Sequence, residues 1–329
     1  MPNSTAGGLP LRFLHVSQSL LIATVAAVPT PSAAHDQSYG FLWASQPTTT
    51  SYSPDPAWTY NDGGGATIVT RTDVGRYTVR WAGLNEVSNE LGNAHVTAYG
   101  GSSEVCKVAS FTREEVRVAC FDAAGLPTDT RFTALLLRPE FHPSELAVAT
   151  AGEPTNASYT PNGAYNAGTS GPVTATRTAA GLYRMTWSGF GAVGTGGGHA
   201  QVTAVGADNA RCAVVGWSAE AVDVRCVDPT GAPTDSVYNV AYFRPDEDAD
   251  GIAFSWADQA NSPVPYTPPA SYSFNPTGGA TTVTPISPGR YAVSWSGLGA
   301  VGINEGHFQV SAYGATGNHC KVESWSGDG

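Results

Sequence analysis

Gly189, Gly191 and Gly194 lie within WSGFGAVGTGGGHAQVTAVG (187–206) at the spacing G-x-G-x-x-G. In a βαβ unit that spacing holds a dinucleotide pyrophosphate against a helix N-terminus. The chemistry requires a strand before the glycines and a helix after them. Here more glycine follows, then the strand-like QVTAV, so the stretch reads as the long connection of a hairpin. The second candidate is DEDADG (246–251), the first half of a calcium loop, with Asp246, Asp248 and Asp250 as oxygen donors. Position twelve of that loop is Ala257, where a bidentate Glu belongs. The segment therefore reads either as a structural calcium clamp or as a solvated acidic linker. No other cofactor is called for.

No G-x-S-x-G, H-E-x-x-H or P-loop occurs, and no histidine has an evident nucleophile and orienting acid beside it. His95, His199 and His307 read as exposed strand or loop positions. The expectation is a protein without catalysis, an extracellular hydrolase with an unfamiliar site being the alternative.

Five cysteines fall at 106, 120, 212, 226 and 320. With a turn at TREE (112–115), Cys106 faces Cys120, Val108 faces Val118 and Ser110 faces Val116. The same construction pairs Cys212 with Cys226. Facing residues of a non-hydrogen-bonded pair are close enough for a bridge. Two disulfides are predicted, with Cys320 left as a free thiol.

Trp81, Trp187 and Trp295 sit on apolar strand faces and are assigned to the core. Phe111, Trp217 and Trp325 come an odd number of positions after the inward cysteines, so strict alternation points them outward. They are the candidate ligand contacts, for a sugar or a protein partner, with packing between neighbouring units as the other reading. Asp129 and Asp235, in the shared pattern D-x-x-G-x-P-x-D, are expected to accept from backbone amides in a turn.

The elements that must position these residues recur along the chain. GRYTVRWAGL (75–84), GLYRMTWSGF (181–190) and GRYAVSWSGL (289–298) correspond, as do HVTAYG, QVTAVG and QVSAYG, and VCKVASF, RCAVVGW and HCKVESW. Three tandem units of about 100 residues are expected at 35–139, 146–245 and 251–329, the third shortened by two strands and a cysteine. Tyr77, Val79 and Trp81 share one face of RYTVRW, the period of a half-buried strand. Strands are predicted near 40–44, 58–61, 66–71, 75–82, 93–99, 104–111, 115–121 and 131–138. The fold class is all-β. Each unit is read as an antiparallel meander of seven to eight strands, closed like a barrel or, alternatively, folded as a β-sandwich.

Residues 1–34 read as a signal peptide: Arg12, the apolar run 20–28, then Ser32-Ala33-Ala34, with His35 opening the mature chain. No segment is long and apolar enough for a transmembrane helix. Charged residues make up only 13% and the net charge is −11. That balance excludes a nucleic-acid partner, which needs clustered Lys and Arg. The strings GRYTVRWAGL, HVTAYG, VCKVASF, VRVACFD and GLPTDTRFT together resemble secreted β-repeat proteins of actinomycete-type bacteria. That resemblance implies export and the repeat unit, and brings no activity and no catalytic residue with it. The expected function is a secreted, non-catalytic binding protein for polysaccharide or cell-wall glycan. The alternative is a structural or adhesive surface protein whose partner is another surface protein.

Overall fold

In the first segment the period-two pattern becomes burial. Tyr77, Val79 and Trp81 are buried, while Arg80 on the opposite face is exposed. The computed structural model describes residues 37–84, 92–139, 146–166, 171–192, 197–244, 252–300 and 306–326. The predicted signal peptide, His35 and the candidate calcium ligands Asp246, Asp248 and Asp250 lie outside these. No helix of the described residues is long and apolar enough to cross a membrane.

The first segment carries β1 (Gln37–Ala44), β2 (Ser51–Tyr52), β3 (Thr59–Asn61), β4 (Thr67–Asp73), β5 (Arg76–Trp81), β6 (Asn93–Tyr99), β7 (Val105–Phe111), β8 (Glu115–Phe121) and β9 (Arg131–Pro139). The second carries β10 (Leu146–Ala151), β11 (Ser158–Tyr159), β12 (Tyr165–Asn166), β13 (Val173–Ala179), β14 (Leu182–Trp187), β15 (His199–Val205), β16 (Arg211–Ser218), β17 (Ala221–Val227) and β18 (Val237–Phe243). The third carries β19 (Phe254–Ser255), β20 (Ser273–Phe274), β21 (Thr281–Ser287) and β22 (Arg290–Trp295).

Among the described residues no sheet closes into a barrel, which corrects the favoured closure. In the first segment the strands divide into a layer ordered β3-β1-β9-β6 and a layer ordered β2-β4-β5-β8-β7. The reason lies in the connections. The turn after β8 carries the chain across the core, so β9 pairs with β1 and β6 instead of its sequence neighbour. Likewise β6 and β7 occupy different layers despite the short YGGSS link. The two inner faces meet in one core of Leu42, Trp81, Val118, Phe132 and Leu136, the arrangement of a β-sandwich. The second segment pairs its strands in the same order, β12-β10-β18-β15 over β11-β13-β14-β17-β16, around Trp187, Met185 and Tyr238.

The segments are joined by main-chain pairing in a closed cycle. Val108 of the first bridges Val205 of the second in parallel register. Val214 of the second bridges Tyr313 of the third, and Val322 of the third bridges Tyr99 of the first. Amide bonds accompany each bridge: Gly206 N to Val108 O at 2.9 Å, Gly314 N to Val214 O at 2.8 Å and Gly100 N to Val322 O at 2.9 Å. The edge of β7 that a hairpin partner β6 would have taken is thereby occupied by β15 of the next segment.

Candidate functional site

Two clusters of aromatic rings occupy segment junctions, and a β-bulge orients Trp217 of one of them. Cys106 pairs with Cys120 and Val108 with Val118, as the hairpin construction predicts. Then Ala109 is extra, Ser110 falls opposite Arg117, and Phe111 opposite Val116. In the second segment Val215 is extra and Trp217 falls opposite Val222. One added residue turns the end of the strand over. Phe111 and Trp217 are therefore half-buried against the cores of their own segments, not turned outward as strict alternation implied.

The first cluster consists of Trp43, Trp58 and Tyr99 from the first segment and Trp325 from the third. Ring centroids lie 5.2 Å apart for Trp58–Trp325 and Tyr99–Trp325, both edge to face. Trp43 stands 5.1 Å from Tyr99 and 5.9 Å from Trp325. Arg131 stacks over the Tyr99 ring at 5.0 Å. The indole N–H groups of Trp43 and Trp325 have no acceptor among the described residues. The second cluster consists of Trp217 from the second segment with Trp256, Tyr272 and Tyr313 from the third, at 5.5, 5.4 and 5.4 Å from Trp217. Here the Trp217 indole donates to Gly197 O at 2.9 Å. Edge-to-face pairs at these separations add stabilisation beyond their buried area. At the junction of the first and second segments the corresponding places include Phe111, Thr150 and Val205, and no aromatic cluster forms among the described residues.

Both predicted disulfides are present, Cys106–Cys120 and Cys212–Cys226, and Cys320 is free and exposed. Asp129 and Asp235 accept from backbone amides, but not within their own turn as expected: the donors are Gly75 N at 2.8 Å and Gly181 N at 2.9 Å, each 54 positions earlier. Each also holds an arginine, Arg71 or Arg177, and a tyrosine hydroxyl, Tyr77 or Tyr183. Those partners lie more than fifty positions away in the chain, where no local spacing announces them. The Arg177 guanidinium holds the Asp235 carboxyl down at about 2. Gly189 lies in the turn after β14 and leads into the 3-10 turn Phe190–Ala192, while Gly194 lies outside the described residues.

A polar seam runs where the three segments meet, and it corrects the exposed reading of the histidines. His95 is 2% exposed, and its Nε2 lies 2.6 Å from Asn93 Oδ1. His199 and His307 each accept from a glutamine amide, Gln201 at 2.6 Å and Gln309 at 2.9 Å. They stack on Phe254 and Phe41 of the next segment in the cycle. Thr97 donates to Gln309 Oε1 and Ser311 to Gln201 Oε1, so the seam is tied across segments. Burial pushes the imidazoles down, to about 3 for His95 and His307 and about 4 for His199. A cavity of about 50 Å³ beside the seam is lined by Thr97, Lys107, Thr203, Arg211, Ser311 and His319. Lys107 is buried there and paired with Asp208 at 2.6 Å. The alternation that marks one sheet face as inward says nothing of whether the other face meets solvent or another sheet.

No group of three or more potential metal ligands gathers among the described residues. No family model, curated protein or solved structure matches the chain.

Proposed function

We propose that the chain is an exported, non-catalytic binding protein made of three copies of one β unit, and that its ligands are polysaccharides or cell-wall glycans taken at the aromatic clusters. Export is supported by the two disulfides, which persist in an oxidising compartment. The observation that carries the ligand reading is the cluster of Trp43, Trp58, Tyr99 and Trp325. Its rings are half-buried rather than sealed. Partly exposed aromatic rings suit a sugar, whose apolar C–H faces stack on them. Packing of segments alone does not require such a cluster, since the first junction forms without one.

The test is retention on insoluble chitin, cellulose, xylan and peptidoglycan. Trp58→Ala and Tyr272→Ala are the informative variants, because both rings stand on short exposed 3-10 turns with no buried residue. The expected outcome is selective retention of the parent protein, weakened about tenfold by Trp58→Ala for about 1.4 kcal/mol of lost contact, measured at a temperature where melting shows the variant still folded. Absence of retention on all four materials overturns the glycan reading. The second reading, a structural or adhesive surface protein, is favoured by the bridging role of Trp217 and Trp325. It predicts that these variants change melting and nothing else.

A further inference from the structure

The polar cavity beside the seam draws a basic side chain from each of the three segments. It measures about 50 Å³, and Lys107 of the first segment, Arg211 of the second and His319 of the third all line it. Lys107 is buried, and Arg211 and His319 are half-buried. The hydroxyl groups on the same walls are spent on protein acceptors: Thr97 donates to Gln309 Oε1, Thr203 to Val96 O and Ser311 to Gln201 Oε1. The basic groups are less occupied. Among the described residues the Arg211 guanidinium makes one side-chain contact, a long one of 3.4 Å to His319 Nδ1. No carboxylate there lies within ion-pair distance of it, and Asp228 acts on it only from further off. Arg71 and Arg177, half-buried like it, each grip an aspartate. Lys107 donates to Asp208 Oδ1 at 2.6 Å and carries two further ammonium hydrogens. Arg76 adds positive field at Lys107, and Lys321, itself paired with Glu104, adds it at His319. Taking a guanidinium out of water without giving it an anion costs folding free energy. The strand does not need a cation at that place, since Val105 stands there in the first segment.

We infer that this cavity is a binding site for one free inorganic oxyanion of the phosphate type, held by the Arg211 guanidinium and the Lys107 ammonium where the three segments meet. A guanidinium presents paired N–H groups that match two oxygens of a tetrahedral oxyanion, and an ammonium adds a point charge beside them. The volume corresponds to about four water-sized positions, enough for one such ion and too little for a sugar ring. The site is therefore separate from the aromatic clusters, and the inference survives failure of the glycan reading. Its walls come from all three segments, so only the closed cycle assembles it. An ion that binds there stabilises that cycle by mass action. The position of Arg211 on β16 serves this purpose: the guanidinium reaches across to His319 of the third segment, while Lys107 on β7 reaches Asp208 of the second.

The test titrates the full chain with sodium phosphate, with sodium chloride holding the ionic strength constant, and reads calorimetric heat and thermal melting. Saturable binding of one ion per chain is expected, with a melting temperature that rises as phosphate is added. Arg211→Val places at 211 the residue type the first segment already carries there, and is expected to weaken binding about tenfold or more. Arg211→Lys keeps a cation without the paired N–H groups and should fall between variant and parent. Arg184→Gln removes an exposed arginine paired with Asp223 and should bind as the parent does. Glycerol phosphate, the same group on a chain, should bind more weakly than the free ion. Absence of saturable binding to the parent chain overturns the inference, whether or not the variants fold. So does equal affinity in an Arg211→Val protein that melts as a folded chain. Equal or tighter binding of glycerol phosphate overturns the assignment to a free ion.

Discussion

At the scale of single residues, Asp129 and Asp235 are polar anchors of the first two segments. Asp235 takes Gly181 N–H, the Tyr183 hydroxyl and the Arg177 guanidinium, so three donors depend on one carboxylate. Removing it leaves a half-buried arginine and a tyrosine hydroxyl with fewer partners, at a cost of about 2 kcal/mol. Asp235→Ala is therefore expected to lower unfolding free energy by about that amount at pH 7, read by urea denaturation. The folded pKa of about 2 lies below the ordinary 3.8, so the contribution is complete above pH 3.8 and disappears as pH falls through 2. Variant and parent should converge in acid, and a difference that stays constant down to pH 2 would sink this account. That Asp235 accepts from a backbone amide was legible from its turn pattern. Which donors it takes was not, because Gly181, Arg177 and Tyr183 all come from β13, β14 and the turn between them, across a non-local pairing.

At the scale of elements, most strands and the register of the two disulfide pairs were legible, while the layering and the register beyond the bulge, where Ser110 faces Arg117 and not Val116, were not. Period-two patterning located β4 to β9 to within two residues, and the C-x13-C spacing fixed both disulfides, because a hairpin is a local object. A sandwich differs from a barrel only in which distant strand β9 joins, and alternation is blind to that. The bulge was also silent. Ala109 and Val215 look like ordinary strand residues, yet each inserts the half-turn that sends Phe111 or Trp217 to the core side. Deleting Val215 should restore strict alternation and turn Trp217 outward. Loss of a half-buried indole contact is expected to cost about 2–3 kcal/mol. The disulfide, two pairs further from the turn, should still form. The measurements are thermal melting and thiol titration. One free thiol per chain with a lowered melting temperature is expected. An unchanged melting temperature would mean that the bulge does not set the orientation of Trp217.

At the scale of the whole molecule, the cycle of three junctions closes over a seam of imidazoles held neutral by burial. His95 pairs with Asn93, while the buried Nδ1 of His199 finds no acceptor among the described residues. The folded pKa values, about 3 to 4, lie below the ordinary 6.5. Between those limits the unfolded chain binds protons that the folded chain refuses, so stability rises with pH there. It is complete above about 6.5 and is lost as pH falls toward 4. For His95, fully enclosed, the loss between pH 6.5 and 4.5 amounts to about 2–3 kcal/mol. This window is distinct from that of Asp235, whose contribution changes only below 3.8. His95→Gln is the matched test, because glutamine already stands at the corresponding places, 201 and 309. The parent should lose stability steadily from pH 6.5 to 4.5 in denaturant titrations, and the variant should lose less by about the His95 share. Identical slopes in the two proteins would show that His95 meets water in the folded chain, and the closed cycle of junctions that buries it would have to be abandoned.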